Sequence, residues 1–217
     1  KNLKGTAIQF LAEDPVVYVG TWSSGANANT GRSEVASAGT STANMISGGE
    51  PPVTVNAEQW NGSSWTEVAN LNTARYGFMG AGTTTAAVSF GGDTGPGSNR
   101  IGNTETWNGS AWTEVADLNE GRFRLGSAQS ATSTAALAFG GADPGGAVAS
   151  TETWNGSSWT EVGDLNEANY NIPAGAGTNT AALQMGGANG AGSEVATVES
   201  WNGSAWTEIA DLNTARD

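Results

Sequence analysis

Residues that commonly do chemistry are unevenly represented in this chain. It has no cysteine and no histidine, which excludes disulfides, thiolate nucleophiles, imidazole bases and the usual zinc sites. The most regular candidates are four glutamates, spaced 47 residues apart, that each lie two residues before a tryptophan: Glu58, Glu105, Glu152 and Glu199. Two carboxylates at a defined separation in one cleft could hydrolyse a glycosidic bond. Acids repeated once per unit are instead distributed over the fold, so we expect no catalytic residue, no metal site and no cofactor.

Each of these glutamates begins one copy of the phrase Glu-x-Trp-Asn-Gly-Ser-x-Trp-Thr-Glu. The tryptophans of the four copies are Trp60 and Trp65, Trp107 and Trp112, Trp154 and Trp159, and Trp201 and Trp206. Such aromatic pairs could stack on sugar rings, or they could pack between structural units, where each buries about 150–250 Å². Their invariance favours packing, because a ligand site usually breaks symmetry and a scaffold keeps it.

An arginine recurs near the start of each unit. It appears as Arg32, Arg75, Arg122 and Arg216, and Asn169 stands in its place in one unit. We expect this position and the repeated glutamates to form ion pairs between units or hydrogen bonds to the backbone.

Each unit also contains a Gly-Gly pair followed by a loop of variable length. Variable loops on a rigid scaffold commonly carry binding specificity, so our candidate binding residues are Asp93, Asn99, Asp143 and Asn189. The acids Glu50, Asp93 and Asp143 could bind calcium together with loop carbonyls. No loop has the alternating Asp pattern of a calcium motif, so solvated acids are the expectation.

The elements that position these residues are predicted to be short strands. No segment shows ten residues of helical apolar spacing, and short runs rich in Val, Thr, Phe and Trp alternate with Gly and Asn. Each phrase contains Asn-Gly, at Asn61, Asn108, Asn155 and Asn202, which predicts a tight type I′ hairpin turn. The same asparagines begin formal glycosylation sequons, but the turn explains Asn and Gly together.

Four strands per unit at a fixed period predict an all-β propeller with four-stranded antiparallel blades of about 47 residues. The predicted blades cover approximately 33–70, 76–117, 123–164 and 170–211, with an outer strand at 15–22 and the start of a further unit at 213–217. Closure of the termini into one split blade would hide strand edges and would need a longer chain with five or more blades. A closed four-bladed ring is the alternative.

The charge balance excludes some partners. The formal net charge is 8 − 21 = −13, which repels phosphate backbones and anionic membranes. No stretch of 18 apolar residues exists. We therefore expect neither nucleic-acid binding nor membrane insertion.

The order of motifs resembles the kelch repeat. It runs through Gly91-Gly92, Glu105-Thr-Trp107, Trp112, Leu118 and Arg122. A typical kelch unit has Tyr-Asp where this chain has Trp107-Asn108, and its aromatic–Trp spacing is usually one residue longer. Some kelch propellers are copper oxidases, but a chain without histidine or cysteine lacks the ligands for that chemistry.

Three stretches are similar to kelch-type proteins of marine bacteriophages, cyanophages among them. They are 71–75, 80–87 and 60–65, and the opening 2–10 with the Thr-Trp-Ser-Ser-Gly run at 21–25 adds to the resemblance. The resemblance implies a non-enzymatic virion structural or decoration protein, or a tail-fibre-type protein, located on the phage particle. Its loops would attach to a host-surface glycan or protein.

The first fourteen residues differ from the repeats. They place Ile8, Phe10 and Leu11 near the only lysines, Lys1 and Lys4. This segment could dock the propeller onto other virion proteins, or it could cap the propeller's own side. Two other functions stay open: a bacterial lectin-like or carbohydrate-active propeller, and an intracellular kelch scaffold for protein interactions.

Overall fold

The computed structural model describes residues 24–97, 99–172 and 174–217, which fold entirely into β-structure. Four antiparallel four-stranded sheets form the blades of a β-propeller, which confirms the predicted fold class. Throughout these residues there is no helix, and so none long and apolar enough to cross a membrane. The candidate docking residues Lys1, Lys4, Ile8, Phe10 and Leu11 and the predicted outer strand 15–22 lie outside the described residues.

The blades follow one another along the chain. Blade 1 contains β1 (Ala36–Gly39), β2 (Asn44–Ser47), β3 (Ala57–Trp60) and β4 (Trp65–Val68). Blade 2 contains β5 (Met79–Gly82), β6 (Ala87–Phe90), β7 (Thr104–Trp107) and β8 (Trp112–Glu114). Blade 3 contains β9 (Gly126–Ser127), β10 (Leu137–Phe139), β13 (Thr151–Trp154) and β14 (Trp159–Glu161). Blade 4 contains β16 (Ala174–Thr178), β17 (Ala181–Met185), β19 (Val198–Trp201) and β20 (Trp206–Glu208).

Two short two-stranded sheets lie outside the four blades. The hairpin of β11 (Ala142–Asp143) and β12 (Gly146–Ala147) lies in the loop after the third Gly-Gly pair. A second pair joins β15 (Asn169–Tyr170) to β18 (Ala188–Asn189). The innermost strands of neighbouring blades contact each other, β1 with β5, β5 with β9 and β9 with β16. These strands therefore surround the propeller axis.

The prediction of a type I′ turn at Asn61-Gly62 is wrong. Trp60 pairs with Trp65, so the connection has four residues, and only Gly62 in it has a positive φ, of 94°. The Asn61 side chain accepts hydrogen bonds from the N–H groups of Ser63 and Ser64, at 2.9 and 3.0 Å. Asparagine is therefore selected for its side-chain acceptor, which closes the loop in place of a backbone carbonyl.

The Gly-Gly pairs link neighbouring blades. Gly91 and Gly92 have φ values of 75° and 110°, which side chains rarely adopt. In this conformation the Gly92 N–H donates to the carbonyl of Arg122 in the next unit, at 2.9 Å. The other three pairs have the same conformation and the same bond. A glycine pair is thus required where the second strand ends and the backbone turns toward the next blade.

The core lies between blades. Phe90 of blade 2 contacts Trp159 of blade 3, with ring centroids 4.7 Å apart, and Phe139 of blade 3 contacts Trp206 of blade 4 at 5.0 Å. These residues belong to one buried cluster that joins the last three blades. A smaller cluster around Met45, Phe78 and Trp112 joins the first two. Burial between faces, rather than within one sheet, holds the blades together.

Candidate functional site

One face of the propeller carries the features that differ most between blades. Because the strands are antiparallel, the loops after the Gly-Gly pairs and the starts of the innermost strands lie at the same face. We call it the loop face. The opposite face, the turn face, carries the connections between the first and second strands and between the third and fourth strands of each blade, of which the longest is 128–136 in blade 3.

Four equivalent residues surround the axis at the loop face in a left-handed conformation. Glu34, Gly77, Arg124 and Asn171 have φ values of 53°, 62°, 52° and 56°. The N–H of Gly77 donates to the carbonyl of Glu34 at 3.0 Å, Arg124 to Gly77 at 2.6 Å, and Asn171 to Arg124 at 2.9 Å. A continuous chain of hydrogen bonds thus passes from blade to blade. Glutamate and arginine in this region each cost on the order of 1 kcal/mol or more, which suits a functional position better than a purely structural one.

Each of the three axial side chains, those of Glu34, Arg124 and Asn171, has a charged partner. Arg124 Nη2 lies 2.6 Å from Glu34 Oε1, although the two residues belong to the third and the first unit. Asn171 Nδ2 donates to Asp217 Oδ2 at 2.8 Å. Together they line an axial cavity of about 350 Å³, with Gly77 and Phe78 in its wall. The cavity therefore presents fixed charges of both signs at the mouth of the axis.

Beside the axis, a groove of about 510 Å³ runs between the loops of the first two blades. Its lining includes Pro51, Pro52 and Pro96, the rings of Tyr76 and Phe123, and the acids Glu50 and Asp93. Three prolines make the walls stiff, since each fixes its own φ. The surface of the groove is therefore formed before any ligand binds.

Two arginines pack against one of the aromatic rings of this groove, that of Phe123. The guanidinium carbons of Arg100 and Arg124 lie 4.7 and 5.0 Å from the centroid of the Phe123 ring. The Tyr76 ring meets Phe123 edge-on at 6.3 Å. Arrangements of this kind combine stacking with cation–π attraction. Arg124 lines the axial cavity and packs on Phe123, which lines the groove, and so connects the two.

Several carboxylates act on the Tyr76 hydroxyl in the groove. Burial raises the pKa of the Tyr76 hydroxyl, and the nearby carboxylates of Asp93, Glu50 and Glu34 raise it further, while Arg124 acts in the opposite direction. The phenol therefore stays protonated well into the alkaline range and can donate a hydrogen bond. A neutral polyhydroxylated or cationic group suits this environment better than an anion.

The four loop residues predicted from the sequence mostly shape their own loops. Asp93 is buried and accepts from the N–H of Gly95 at 2.8 Å. Asp143 accepts from two glycine N–H groups, at 2.7 and 2.9 Å. Asn189 accepts from two N–H groups at 3.0 and 3.1 Å, and the exposed Asn99 donates to Thr94 at 2.6 Å. Only Asp93 among them lines the groove.

The repeated glutamates hold the segment that crosses from one blade to the next. Glu105 accepts from the backbone N–H and the side-chain amide of Asn72, both at 2.8 Å, and from Arg75 Nη2 at 3.0 Å. Both side chains of the Arg75–Glu105 pair are fully buried. The pairs Arg32–Glu58 and Arg122–Glu152 repeat this geometry at 2.5 and 3.0 Å. The structure places these acids in separate blades rather than in one cleft.

The tryptophan pairs lie between and within blades. In every pair the two ring centroids are 5.4 or 5.5 Å apart. The first indole N–H of each pair donates to a carbonyl oxygen of a turn, for example Trp107 to Thr84 at 2.9 Å. The six tryptophans of blades 2, 3 and 4 are buried, and Trp60 and Trp65 of blade 1 are half-buried.

Sequence reasoning missed the residues that build the axial cavity and the groove: Glu34, Tyr76, Arg100, Phe123, Arg124 and Asn171. A signal was present directly after the repeated arginine. There the units differ from one another, with Ser33-Glu34, Tyr76-Gly77, Phe123-Arg124 and Tyr170-Asn171. Over the described ranges, no three acidic side chains gather in a way that could hold a metal ion.

Comparison with known proteins supports the fold. No family model matches the chain, and no curated protein matches its sequence. Among 181 matching chains of solved structures is one described as "Structure of YjhT". Its TM-score is 0.71 at 11% sequence identity, and the match covers 88% of this chain and 68% of that one. At this identity the match shows a shared propeller fold and no shared function. The kelch and bacteriophage resemblances stay predictions.

Proposed function

We propose that this chain is a non-enzymatic attachment module, a virion structural, decoration or tail-fibre-type protein whose loop face binds the host surface. The observation that carries the proposal is where the repetition stops. On the turn face every blade presents two threonine hydroxyls 3.2 or 3.3 Å apart, such as those of Thr83 and Thr85. On the loop face, the residue that follows the repeated arginine position differs between the units. It is Ser33, Tyr76, Phe123 or Tyr170.

Variation among equivalent residues at the loop face suits a binding site on a repetitive scaffold. The groove supplies aromatic surface, a phenol donor and carboxylate acceptors within one preformed wall. The carboxylate of Glu34 at the axis is engaged by Arg124. The two charged side chains hold each other in a fixed arrangement, which suits recognition of a partner by a preformed surface.

The proposal is tested by binding of the fluorescently labelled chain to cells of marine cyanobacterial strains. We expect Tyr76→Ala and Phe123→Ala to reduce cell binding at least tenfold. The matched control is Thr83→Ala with Thr85→Ala on the turn face, which should bind as the unchanged chain does. If the turn-face variant loses binding and the loop-face variants keep it, the assignment of the face is wrong.

The proposed incorporation of this chain into phage particles is tested separately. The first fourteen residues are proposed to dock onto other virion proteins, so their deletion should abolish incorporation into particles while cell binding by the free chain persists. Incorporation at the normal level after deletion would contradict the docking proposal and leave the loop-face proposal unaffected.

A second candidate is a glycan-binding, lectin-like propeller. The specific observation in its favour is that the half-buried Tyr76 and Phe123 rings share a groove with Glu50 and Asp93. Sugar rings stack on aromatic faces while their hydroxyls donate to carboxylates. We expect selective binding on a broad glycan array that is lost in Tyr76→Ala. An array without any signal would exclude this candidate.

A further inference from the structure

The fourth blade breaks the pattern of buried charge that the other blades share. In blades 1 to 3 the repeated glutamate is neutralised by a buried arginine of its own unit. In blade 4 the glutamate is Glu199, and the arginine position is occupied by Asn169. Glu199 is only 1% exposed, so its carboxylate lies as deep as that of Glu105.

The backbone at Asn169 is in the same place as that of the arginines it replaces. The N–H of Gly141 donates to the Asn169 carbonyl at 2.8 Å, as Gly92 donates to Arg122 at 2.9 Å. The exchange therefore removes a guanidinium from blade 4 without moving the chain that carries it.

Apart from the guanidinium, the carboxylate of Glu199 has the same kinds of hydrogen-bond donor as that of Glu105. Glu199 accepts from the backbone N–H and the side-chain amide of Asn166 at 2.8 and 2.7 Å, and from the N–H of Glu167 at 3.2 Å. Glu105 has the same three kinds of donor and the guanidinium in addition. Among the described residues, no cationic side chain pairs with Glu199. A buried carboxylate without a positive partner is strongly unfavourable.

Several polar atoms around Glu199 also lack partners. Asn169 Oδ1 and Nδ2, Gln184 Oε1 and Thr197 Oγ1 are buried and make no hydrogen bond within the described part of the chain. Asn169 and Gln184 are both 0% exposed. Gln184 is the cross-strand neighbour of Glu199, and Thr197 precedes Glu199 by two residues on the same face. We call Asn169, Gln184, Thr197 and Glu199 the fourth-blade polar cluster.

Gln184 makes one of the hydrogen bonds that the arginine makes in blade 2. Gly186 is the first glycine of the Gly-Gly pair of blade 4, and its carbonyl accepts a hydrogen bond from Gln184 Nε2 at 2.5 Å. In blade 2 the carbonyl of Gly91, the first glycine of that pair, accepts from Arg75 Nη1 at 3.4 Å. The positions equivalent to Gln184 are Ser89 in blade 2 and Ala138 in blade 3. The amide thus replaces the arginine's hydrogen bond to the glycine carbonyl but not its positive charge.

We propose that the fourth-blade polar cluster binds a monatomic hard cation, calcium or sodium, in the position of the missing guanidinium. The ligands are the carboxylate of Glu199, Asn169 Oδ1 and Gln184 Oε1, with Thr197 Oγ1 completing the set. Carboxylate, amide and hydroxyl oxygens are the ligands that such ions prefer. The ion neutralises Glu199 and ties the segment that crosses from blade 3 to the strands of blade 4. The four ligands line neither the groove nor the axial cavity of the loop face, so either proposal can fail alone.

The test is thermal unfolding of the chain after treatment with a chelator, in choline chloride at constant ionic strength. Addition of CaCl₂ or NaCl should raise the Tm by about 3–6 °C for each tenfold increase in free cation above the Kd. Comparison of the two salts identifies the ion. Calorimetric titration with the effective salt should give one site per chain.

Matched variants separate this site from general screening of a chain with a charge of −13. Asn169→Arg with Gln184→Ala copies the blade 3 pair and should remove the cation-dependent rise in Tm. Arg122→Asn with Ala138→Gln copies the blade 4 pair and should raise the stoichiometry to two. Glu199→Gln changes almost no volume and should abolish binding. A Tm of the unchanged chain that rises no more than that of Glu199→Gln would overturn the proposal.

Discussion

The indole N–H of Trp159 donates to the hydroxyl of Thr104, 2.9 Å away in the preceding blade. The same bond joins Trp206 to Thr151 at 3.0 Å. These contacts are buried, and they lie next to the aromatic pairs Phe90–Trp159 and Phe139–Trp206. The repeated tryptophan therefore bonds specifically between blades and also fills space there.

Blade 2 lacks this bond, because the position equivalent to Thr104 in blade 1 is Ala57. The Trp112 indole N–H is buried, and among the described residues it has no acceptor. Ala57→Thr should supply one and stabilise the protein by about 1 kcal/mol, which corresponds to an increase in Tm of about 2–4 °C. Urea unfolding measures the change in free energy.

The control for that substitution is Thr104→Val, which keeps the shape and removes the acceptor from Trp159. It should destabilise the protein by about 1–3 kcal/mol, since it leaves a buried donor unpaired. A destabilising Ala57→Thr together with a neutral Thr104→Val would show that the interblade bond contributes nothing.

The buried pair Arg75–Glu105 should respond strongly to loss of one partner. Burial lowers the pKa of Arg75 to about 10, against the attraction of Glu105, so the guanidinium stays charged at neutral pH. Glu105→Gln then leaves an uncompensated buried charge and should cost about 3–5 kcal/mol in the free energy of unfolding.

The half-exposed pair Arg124–Glu34, with side chains 33% and 27% exposed, provides the comparison. Glu34→Gln should cost at most about 1 kcal/mol, because water screens the pair. Urea unfolding of both variants under the same conditions checks the contrast. Equal costs would mean that burial does not decide the strength of these pairs.

Acid should weaken the fold partly through Glu58. Burial raises the pKa of this carboxyl, but the N–H of Asn29 and the bond and charge of Arg32 outweigh burial, so its pKa lies below 4.5. Below that value the unfolded chain binds the proton more readily than the folded chain. The stability from Glu58 is therefore complete above pH 4.5 and is lost as the pH falls through the folded pKa.

Glu58→Gln should accordingly be less stable than the unchanged chain at neutral pH, and the difference should shrink as the pH falls toward 2. Urea unfolding at a series of pH values measures it. A difference that stays constant with pH would show that Glu58 does not contribute through ionisation.

The Gly-Gly pairs should tolerate no side chain. A Cβ on Gly92, where φ is 110°, would lie 2.9 Å from the Tyr76 carbonyl oxygen and from Phe78 Cβ. Gly97 has a similar φ of 103°, but among the described residues no atom other than those of its chain neighbours lies within 4 Å of its Cβ position. Gly97→Ala should cost about 1–3 kcal/mol from backbone strain alone, and Gly92→Ala should cost about 1–3 kcal/mol more from overpacking. Thermal unfolding compares the two, and equal losses would exclude the steric part.

Much of the fold could be predicted because its signals are local and repeated. The alternation around Trp107 and Trp112, the Gly91-Gly92 pair and the period of 47 residues each act over a few neighbours, so they predict strands, breaks and blades without knowledge of the whole. The turn at Asn61 was predicted as the wrong type, because the sequence alone does not show that the side chain replaces a backbone acceptor in a longer loop.

The candidate site was less predictable, for a physical reason. Glu34 and Arg124 are 90 residues apart and meet only because two blades bring their first strands to one axis. Tyr76 and Phe123 belong to neighbouring units and form one wall only when those units pack side by side. The loop residues that the sequence did suggest, such as Asp143, are used to fold their own loops.

The amino-acid sequence by itself determined the all-β class, the number of strands in a unit and the positions where side chains repeat. These properties follow from short-range periodicity and from the conformational limits of glycine, which act within each unit. Only the tertiary structure decided which carboxylates are neutralised, which aromatic rings share a groove and which buried atoms lack a partner. Each of these depends on contacts between units, and Glu199 shows the difference: its phrase repeats that of Glu105, but its environment does not.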